Sequence, residues 1–379
     1  MSSPSGPGSR KAALPVPQNC PLCSGLAHFV SGQLQLTHPT LADLGWSEHF
    51  AHQLDADDPA LPGRVSEVSR SALTVMTEAG LQSVVTHDST GLYAVGDWVL
   101  TQGPRVTGRL NRTTEIARRA AGSTSERQLI AANVDTLAIV TSCNSDFNVA
   151  RLERYLAMAS SAGCLPLIVL TKADQSDDPA EYVKTAARLS SIVTAFALNA
   201  HDPEDVARLG AWCGPGQTLA LVGSSGVGKT TLQNQLTGIT ALTQDIREDD
   251  AKGRHTTTSR ALRPTIAGGW LIDTPGIREL QLSDAADGIE AVFSDVTDLI
   301  GLCRFSDCAH VSEPGCAVQA AIAAGTLDPE RLSRWEKLSR EDRFNSESLA
   351  QRHARARSFG KMAKQGKQRM KHKRGEIGG

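Results

Sequence analysis

The sequence has no apolar run that approaches the length of a membrane span. Its opening stretch, MSSPSGPGSRK, is polar and lacks the apolar core of a secretory signal. Its cysteines are not spaced as a secreted disulfide framework, and three of them cluster late beside a histidine. These absences lead us to expect a cytoplasmic protein without a membrane partner. Charge is scarce only in the sum. The total is −2, yet residues 351–375 carry ten Lys or Arg and no Asp or Glu, so the remainder carries −12. A basic tail on an acidic body points to a polyanionic partner. At 379 residues the chain has room for two or three domains.

What is present is organised around residues 218–238, TLALVGSSGVGKTTLQNQLTG. An apolar strand, residues 219–222, turns at once into Gly223, Ser224, Ser225, Gly226, Val227, Gly228, Lys229, Thr230 and Thr231, then into a helix closed by Gly238. That is a P-loop in the context the motif requires. Glycines let consecutive N–H groups curl around a phosphate, and the helix N-terminus adds positive potential. Lys229 is expected to reach the β- and γ-phosphates, and the Thr230 hydroxyl to ligate Mg²⁺. The chain is thus expected to bind a nucleoside phosphate.

The first sixty residues say little. Cys20 and Cys23 make half a zinc site at most and read as incidental, and residues 43–52 could open a short helix. Residues 62–119 change to short β-like pieces around Val65, Val68, Leu73, Val75, residues 84–85 and residues 95–100, with glycines between. Several strands in so short a span suggest a small barrel. Arg105, Arg109, Arg112, Arg118 and Arg119 add a basic trend, which a solvated face would explain equally well. From residue 128 strands and helices alternate: strands at 136–140, 165–170 and 192–198, helices at 148–162 and near 180–189. This pattern calls for a parallel, doubly wound sheet.

Residues 269–276 supply another strand ending in Asp273-Thr-Pro-Gly276. Asp273 would hold Mg²⁺, and the Gly276 N–H would meet a γ-phosphate. Thr171, Lys172, Ala173 and Asp174 follow a buried strand and decide the base. A carboxylate at Asp174 accepts from both the ring N–H and the exocyclic amine of guanine, whereas adenine offers no such donor pair. The Lys172 stem would pack on the ring. GTPases usually carry Asn where this chain has Thr171, so a shorter hydroxyl must brace the loop. The base motif and residues 199–200 come before the P-loop, and residues 253–258 (GRHTTT) and 273–276 after it, so the G domain is circularly permuted.

Further on, Cys303, Cys308, His310 and Cys316 stand as C-x₄-C-x-H-x₅-C. Four such ligands suit one closed, structural Zn²⁺ site. Asp328 and Pro329 then read as the N-cap and first position of a helix.

With a barrel before the permuted G domain and a Cys/His cluster after it, the chain resembles the ribosome small-subunit-dependent GTPase A family from about residue 62 onward. The shared motifs are ANVD (132–135), GSSGVGKTT, GRHTTT, DTPGIREL and the Cys/His spacing. Membership would imply hydrolysis of GTP to GDP and phosphate in late maturation of the small ribosomal subunit, stimulated by that subunit, with barrel and tail contacting rRNA. Many GTPases position the attacking water with a Gln after this aspartate-led motif; here Ile277 stands there, and the resemblance implies a catalytic residue supplied elsewhere. His255 is the candidate in cis, with Lys229 as the other catalytic group. Thr257 is expected to join Thr230 and Asp273 on Mg²⁺.

The expected fold is multidomain: an N-terminal extension (1–60), an all-β OB-like barrel (61–122), an α/β circularly permuted P-loop G domain (123–283), a small α-helical zinc-binding domain (284–350) and a basic tail (351–379). A monomer is expected. Two rivals stay open at this stage: a P-loop ATPase or metabolite kinase, and a non-catalytic RNA-binding protein that uses nucleotide structurally.

Overall fold

A computed structural model of the chain describes residues 27–30, 33–36, 39–55, 57–119, 127–239, 260–273 and 284–346. Strands β1 (Ala27–Val30) and β2 (Gln33–Leu36) pair as an isolated hairpin. The helix expected over residues 43–52 is shortened to a turn followed by α1 (Glu48–Ala51). Gly45 is the physical reason. It adopts φ +87°, and a Cβ there would lie 2.6 Å from the Gly216 carbonyl oxygen. Trp46 and Phe50 of this segment pack on Trp98, with ring centroids 4.8 and 5.7 Å away.

The alternating Val/Leu pieces become β3 (Leu61–Val68), β4 (Leu73–Thr77), β5 (Gly80–Val84), β6 (Trp98–Gln102) and β7 (Arg105–Arg109). They pair antiparallel in the order β5-β4-β3-β6-β7. A bridge from Val85 to Arg105 joins the two ends, closing a small barrel around Val65, Leu73, Val75, Val84, Tyr93, Val99 and Val106. The strand expected from residue 95 begins only at Trp98. Gly96 sits at φ +92°, against the Ala132 carbonyl, and the buried Asp97 carboxylate accepts the Ala94 N–H at 2.8 Å. β8 (Glu115–Arg119) and β9 (Arg127–Ala132) form a separate antiparallel hairpin, so the boundary drawn at 122/123 falls inside one hairpin.

The α/β part comprises β10 (Thr136–Ser142), α2 (Val149–Ser161), β11 (Leu165–Thr171), α3 (Pro179–Ala187), β12 (Thr194–Ala197), α4 (Pro203–Ala207), β13 (Thr218–Gly223), α5 (Lys229–Thr237), β14 (Ala261–Pro264) and β15 (Trp270–Asp273). Its strand order is β12-β11-β10-β13-β15-β14, parallel except for β14. β10, β11 and β13 are apolar almost end to end because helices cover both faces. Asn148 and Asp178 cap α2 and α3 through the Arg151 and Glu181 N–H groups. β14 also pairs with β3 at Ala261 and Glu67, so barrel and α/β sheet are continuous.

ANVD is a joint. Asn133, at φ 54°, accepts from the Thr113 N–H and donates to the Gly96 carbonyl, while Asp135 accepts the Thr218 N–H at 2.7 Å. Beneath it Arg64 of β3, 1% exposed, donates to the Leu44 and Asn133 carbonyls and to the Thr218 hydroxyl. Burial pushes its guanidinium pKa down to about 10.

The C-terminal helices are α6 (Ala286–Val292), α7 (Ser294–Gly301), α8 (Ala317–Ala323) and α9 (Pro329–Ser346). Asp328 accepts the Glu330 N–H ahead of α9, as its position before Pro329 suggested. α6 lies directly on α2, where a Cβ at Gly288 would meet the Ala157 carbonyl at 2.1 Å. α9 is clamped to the same helix by charge: the fully buried Glu153 carboxylate takes Arg331 at 2.7 Å and Arg334 at 2.9 Å.

Candidate functional site

Parallel strands carry their C-terminal ends to one edge of the sheet. Register places Val140 beside Gly223 and Ser142 beside Thr171, with Asp273 closing the neighbouring β15. Chain order reverses between β10 and β13, because β11 and β12 run outward on one side before the chain returns to the other. A crevice at such a switch point, beyond the carboxyl ends, is where open α/β sheets bind ligands.

The P-loop occupies that crevice. Gly223 (φ 144°) is required by a close approach, since a Cβ would stand 2.1 Å from the Val140 carbonyl oxygen. Gly226 and Gly228 are also at positive φ, and Gly228 caps α5. Lys229 donates to the Gly223 carbonyl at 2.8 Å and to that of Ser224, which holds its ammonium against the loop. Val227 is buried, whereas Ser225, Gly226 and Thr230 are exposed and Ser224, Gly228 and Thr231 half-buried. The loop is therefore anchored by its one apolar residue and presents its polar ones outward.

The base motif sits beside it. The Thr171 hydroxyl lies 2.7 Å from the Val227 carbonyl and 3.0 Å from that of Thr141, sharing its one proton between them. The hydroxyl thus ties β11 to the P-loop, the bracing its position calls for. Lys172 adopts φ 57°, uncommon for a side chain of its size, and turns the chain so that Asp174 emerges exposed. The Ala173 N–H donates to Leu198, which links the motif to the loop at residues 199–201. His255, Thr257 and Gly276 lie outside the described residues. Asp273 is placed by its backbone, opposite Ala261 at the end of β15.

The second cluster is 303–316. The ligand atoms of Cys303, Cys308, His310 and Cys316 all lie within 4.8 Å of one another. Cys303 Sγ is 3.9 Å from Cys316 Sγ, and His310 Nδ1 is 3.6 and 3.7 Å from those sulfurs. Tetrahedral Zn²⁺ with Zn–S near 2.3 Å requires S···S edges of about 3.8 Å and S···N edges of about 3.6 Å. The donor set fits. Glu313, which sequence reading passed over, shapes this loop: its carboxylate accepts the N–H groups of Ala309, Val311 and Ser312 at 2.9–3.0 Å. Its own backbone N–H, followed by those donors, pulls its pKa down to about 2. A glutamate inside a Cys/His loop was the only sequence signal for it.

The arginines of the basic trend divide. Arg105 and Arg109 are exposed on β7, but Arg112 is spent internally on Asp97 (2.6 Å) and Glu115. Arg118 lies on the β8–β9 hairpin and donates to Gln128.

Cys143, Cys164 and Cys213 are buried, and burial raises their thiols to about 11, 12 and 11. Thiolate is the reactive form. At pH 7.5 with a chelator, iodoacetamide is expected to label Cys303, which is half-buried and whose thiol is shifted down, and to spare these three. Peptide mass spectrometry reads the pattern, and equal labelling of Cys164 with and without denaturant would contradict it.

A P-loop at the switch point of a sheet whose base-motif strand precedes it in sequence defines a circularly permuted P-loop GTPase. The RsgA GTPase family profile matches residues 109–283. The chain is 54% identical over 317 residues to the small ribosomal subunit biogenesis GTPase RsgA of Mesorhizobium japonicum, covering 81% of this chain and 91% of the relative. It is 46% identical over 341 residues to the small ribosomal subunit biogenesis GTPase RsgA 2 of Vibrio parahaemolyticus, covering 89% and 95%. In fold it matches YjeQ of Thermotoga maritima (TM-score 0.53, 22% identity, 74% of this chain and 97% of that one). It also matches YloQ, described as a circularly permuted GTPase (TM-score 0.53, 19% identity, 78% and 100%). The chain belongs to the RsgA GTPase family.

Proposed function

We propose that the chain hydrolyses GTP to GDP and phosphate during maturation of the small ribosomal subunit, with that subunit as its activator. The observation that carries this reading is Thr171, whose hydroxyl joins the guanine-type motif to the P-loop carbonyl at Val227. The 54% identity to a relative named for small-subunit biogenesis supports the choice of partner.

In this reading residues 223–231 cradle the phosphates, Lys229 neutralises developing charge, and residues 171–174 select the base. Hydroxyl and carboxylate oxygens at Thr230, Thr257 and Asp273 would hold Mg²⁺, which when bound supplies charge neutralisation on the phosphates. Gly276 would donate to the γ-phosphate, and His255 would orient water. One Zn²⁺ at Cys303, Cys308, His310 and Cys316 would hold the C-terminal lobe together. Exposed Arg105 and Arg109 and the basic run 351–375 would contact rRNA, with strong salt dependence. The protein works in the cytoplasm as a monomer. Among the described residues no helix is long and apolar enough to cross a membrane.

The test is phosphate release from GTP and from ATP, each with and without purified small subunits. Turnover of GTP alone, rising sharply with subunits, is expected. GTP turnover indifferent to subunits would remove the ribosomal partner, and equal use of ATP would remove the base assignment.

A further inference from the structure

A cavity of about 360 Å³ lies away from the nucleotide crevice, where three parts of the chain meet. Residues 42–50 close one side, Arg64 of β3 and the 133–135 joint form the floor, and the turn 215–218 completes it. β13 begins here at Thr218 and ends at Gly223 in the P-loop, so cavity and crevice stand at opposite ends of one strand. A space of this size falls within the range of small-molecule sites.

The charge of its wall is unbalanced. Arg64 lines the cavity and is 1% exposed. Its guanidinium donates to the Leu44 carbonyl at 2.6 Å, the Asn133 carbonyl at 3.1 Å and the Thr218 hydroxyl at 2.7 Å, all neutral acceptors. The Nε–H, although buried, has no acceptor among the described residues. Asp135 acts on the cation only through space, its carboxylate being taken by the Thr218 N–H at 2.7 Å. A buried cation with neutral partners and an unused donor is unfavourable. An anion in the cavity would supply the missing charge and the missing acceptor together.

The remaining lining narrows the class of anion. Trp46 and Phe50 give one side an aromatic surface, packed in turn on Trp98, which favours a planar apolar body. The Asp135 carboxylate also lines the cavity and disfavours a second negative charge. We infer that this cavity binds a small planar monocarboxylate, whose oxygen accepts from the Arg64 Nε–H while its body lies against Trp46 and Phe50. Such a ligand would tie residues 42–50, the barrel and β13 together and stabilise the joint between barrel and α/β sheet.

The experiment titrates benzoate, benzamide and phthalate into the full-length protein saturated with Mg²⁺ and GDP, which keeps the P-loop filled. The readout is the indole N–H resonance of Trp46, assigned by its loss in Trp46→Phe. Benzoate is expected to shift it saturably and to bind about ten-fold more tightly than benzamide, which lacks the charge, or phthalate, which has a second one. Gln217→Glu changes an exposed residue of the cavity wall and keeps an acceptor for the Gly214 N–H. It leaves Arg64 and its partners in place and is expected to weaken benzoate about ten-fold. Asp135→Asn, which can still accept the Thr218 N–H, is expected to bring phthalate to within about two-fold of benzoate. Benzamide or phthalate binding the wild-type protein as tightly as benzoate overturns the inference, as does Gln217→Glu leaving benzoate unchanged. A Trp46 resonance that benzoate fails to shift saturably also overturns it, and leaves the cavity to water.

Discussion

Asp174→Asn is expected to move the nucleotide preference from guanine to xanthine. Asp174 offers two acceptors and emerges exposed from the turn that Lys172 makes at φ 57°. Guanine presents two donors to it. An asparagine keeps one acceptor and replaces the other by a donor, which suits the ring N–H and 2-carbonyl of xanthine and leaves a donor facing the guanine amine. A site built for one hydrogen-bond pattern rejects its mismatch by orders of magnitude, so kcat/KM for GTP should fall about 10³-fold and that for XTP should exceed it. Thr171, which braces the P-loop through Val227, is untouched, so the loss should fall on the base and spare the phosphates. Steady-state turnover with both nucleotides decides. Unchanged GTP kinetics would place the base elsewhere.

Glu153→Ala is expected to cost about 3–5 kcal/mol of stability. Glu153 is fully buried on α2 and is the shared partner of Arg331 and Arg334. Arg331 keeps Asp295 at 3.0 Å, the carbonyls of Leu189 and Val292, and the face of Phe293 at 4.1 Å. Those contacts assume a neutralised cation. Removing the carboxylate leaves two guanidinium groups against an apolar helix packing, which costs far more than the pair contributes. At roughly 2–4 °C per kcal/mol for a chain of this size, the melting temperature should drop by about 10 °C. Glu153→Gln, which retains an acceptor, should lose less. Thermal unfolding followed by circular dichroism measures both, and a Glu153→Ala protein as stable as wild type would show the clamp to be dispensable.

Both predictions concern groups that differ in how visible they were in the sequence. Thr171 to Asp174 could be read directly, because a hydrogen-bonding pattern for a base is written in a few adjacent residues after a buried strand. The P-loop and the 303–316 cluster were legible for the same reason: short spacing and distinctive residue types bring the groups together with little help from the rest of the fold. Glu153 was invisible. Among apolar helix residues a single glutamate looks like a solvated one, and its partners lie 178 and 181 positions away. Arg112 misled in the opposite direction, counted with a basic face while its charge is spent on Asp97 and Glu115.

By itself, then, the sequence determined the chemistry that depends on local order: a phosphate cradle, a base selector, a Cys₃His ligand set, and the permuted succession of these motifs. Alternating and continuous apolar runs also announced a barrel followed by an α/β sheet. Only the tertiary structure decided how the parts are joined. β14 pairs with β3 to make one sheet of two modules, Arg64 threads the joint at Asn133 and Thr218, and Glu153 clamps α9 to α2. These contacts join residues far apart in the chain, and which buried charge or donor finds a partner is settled when the elements pack, because the low-dielectric interior penalises every group left unmatched.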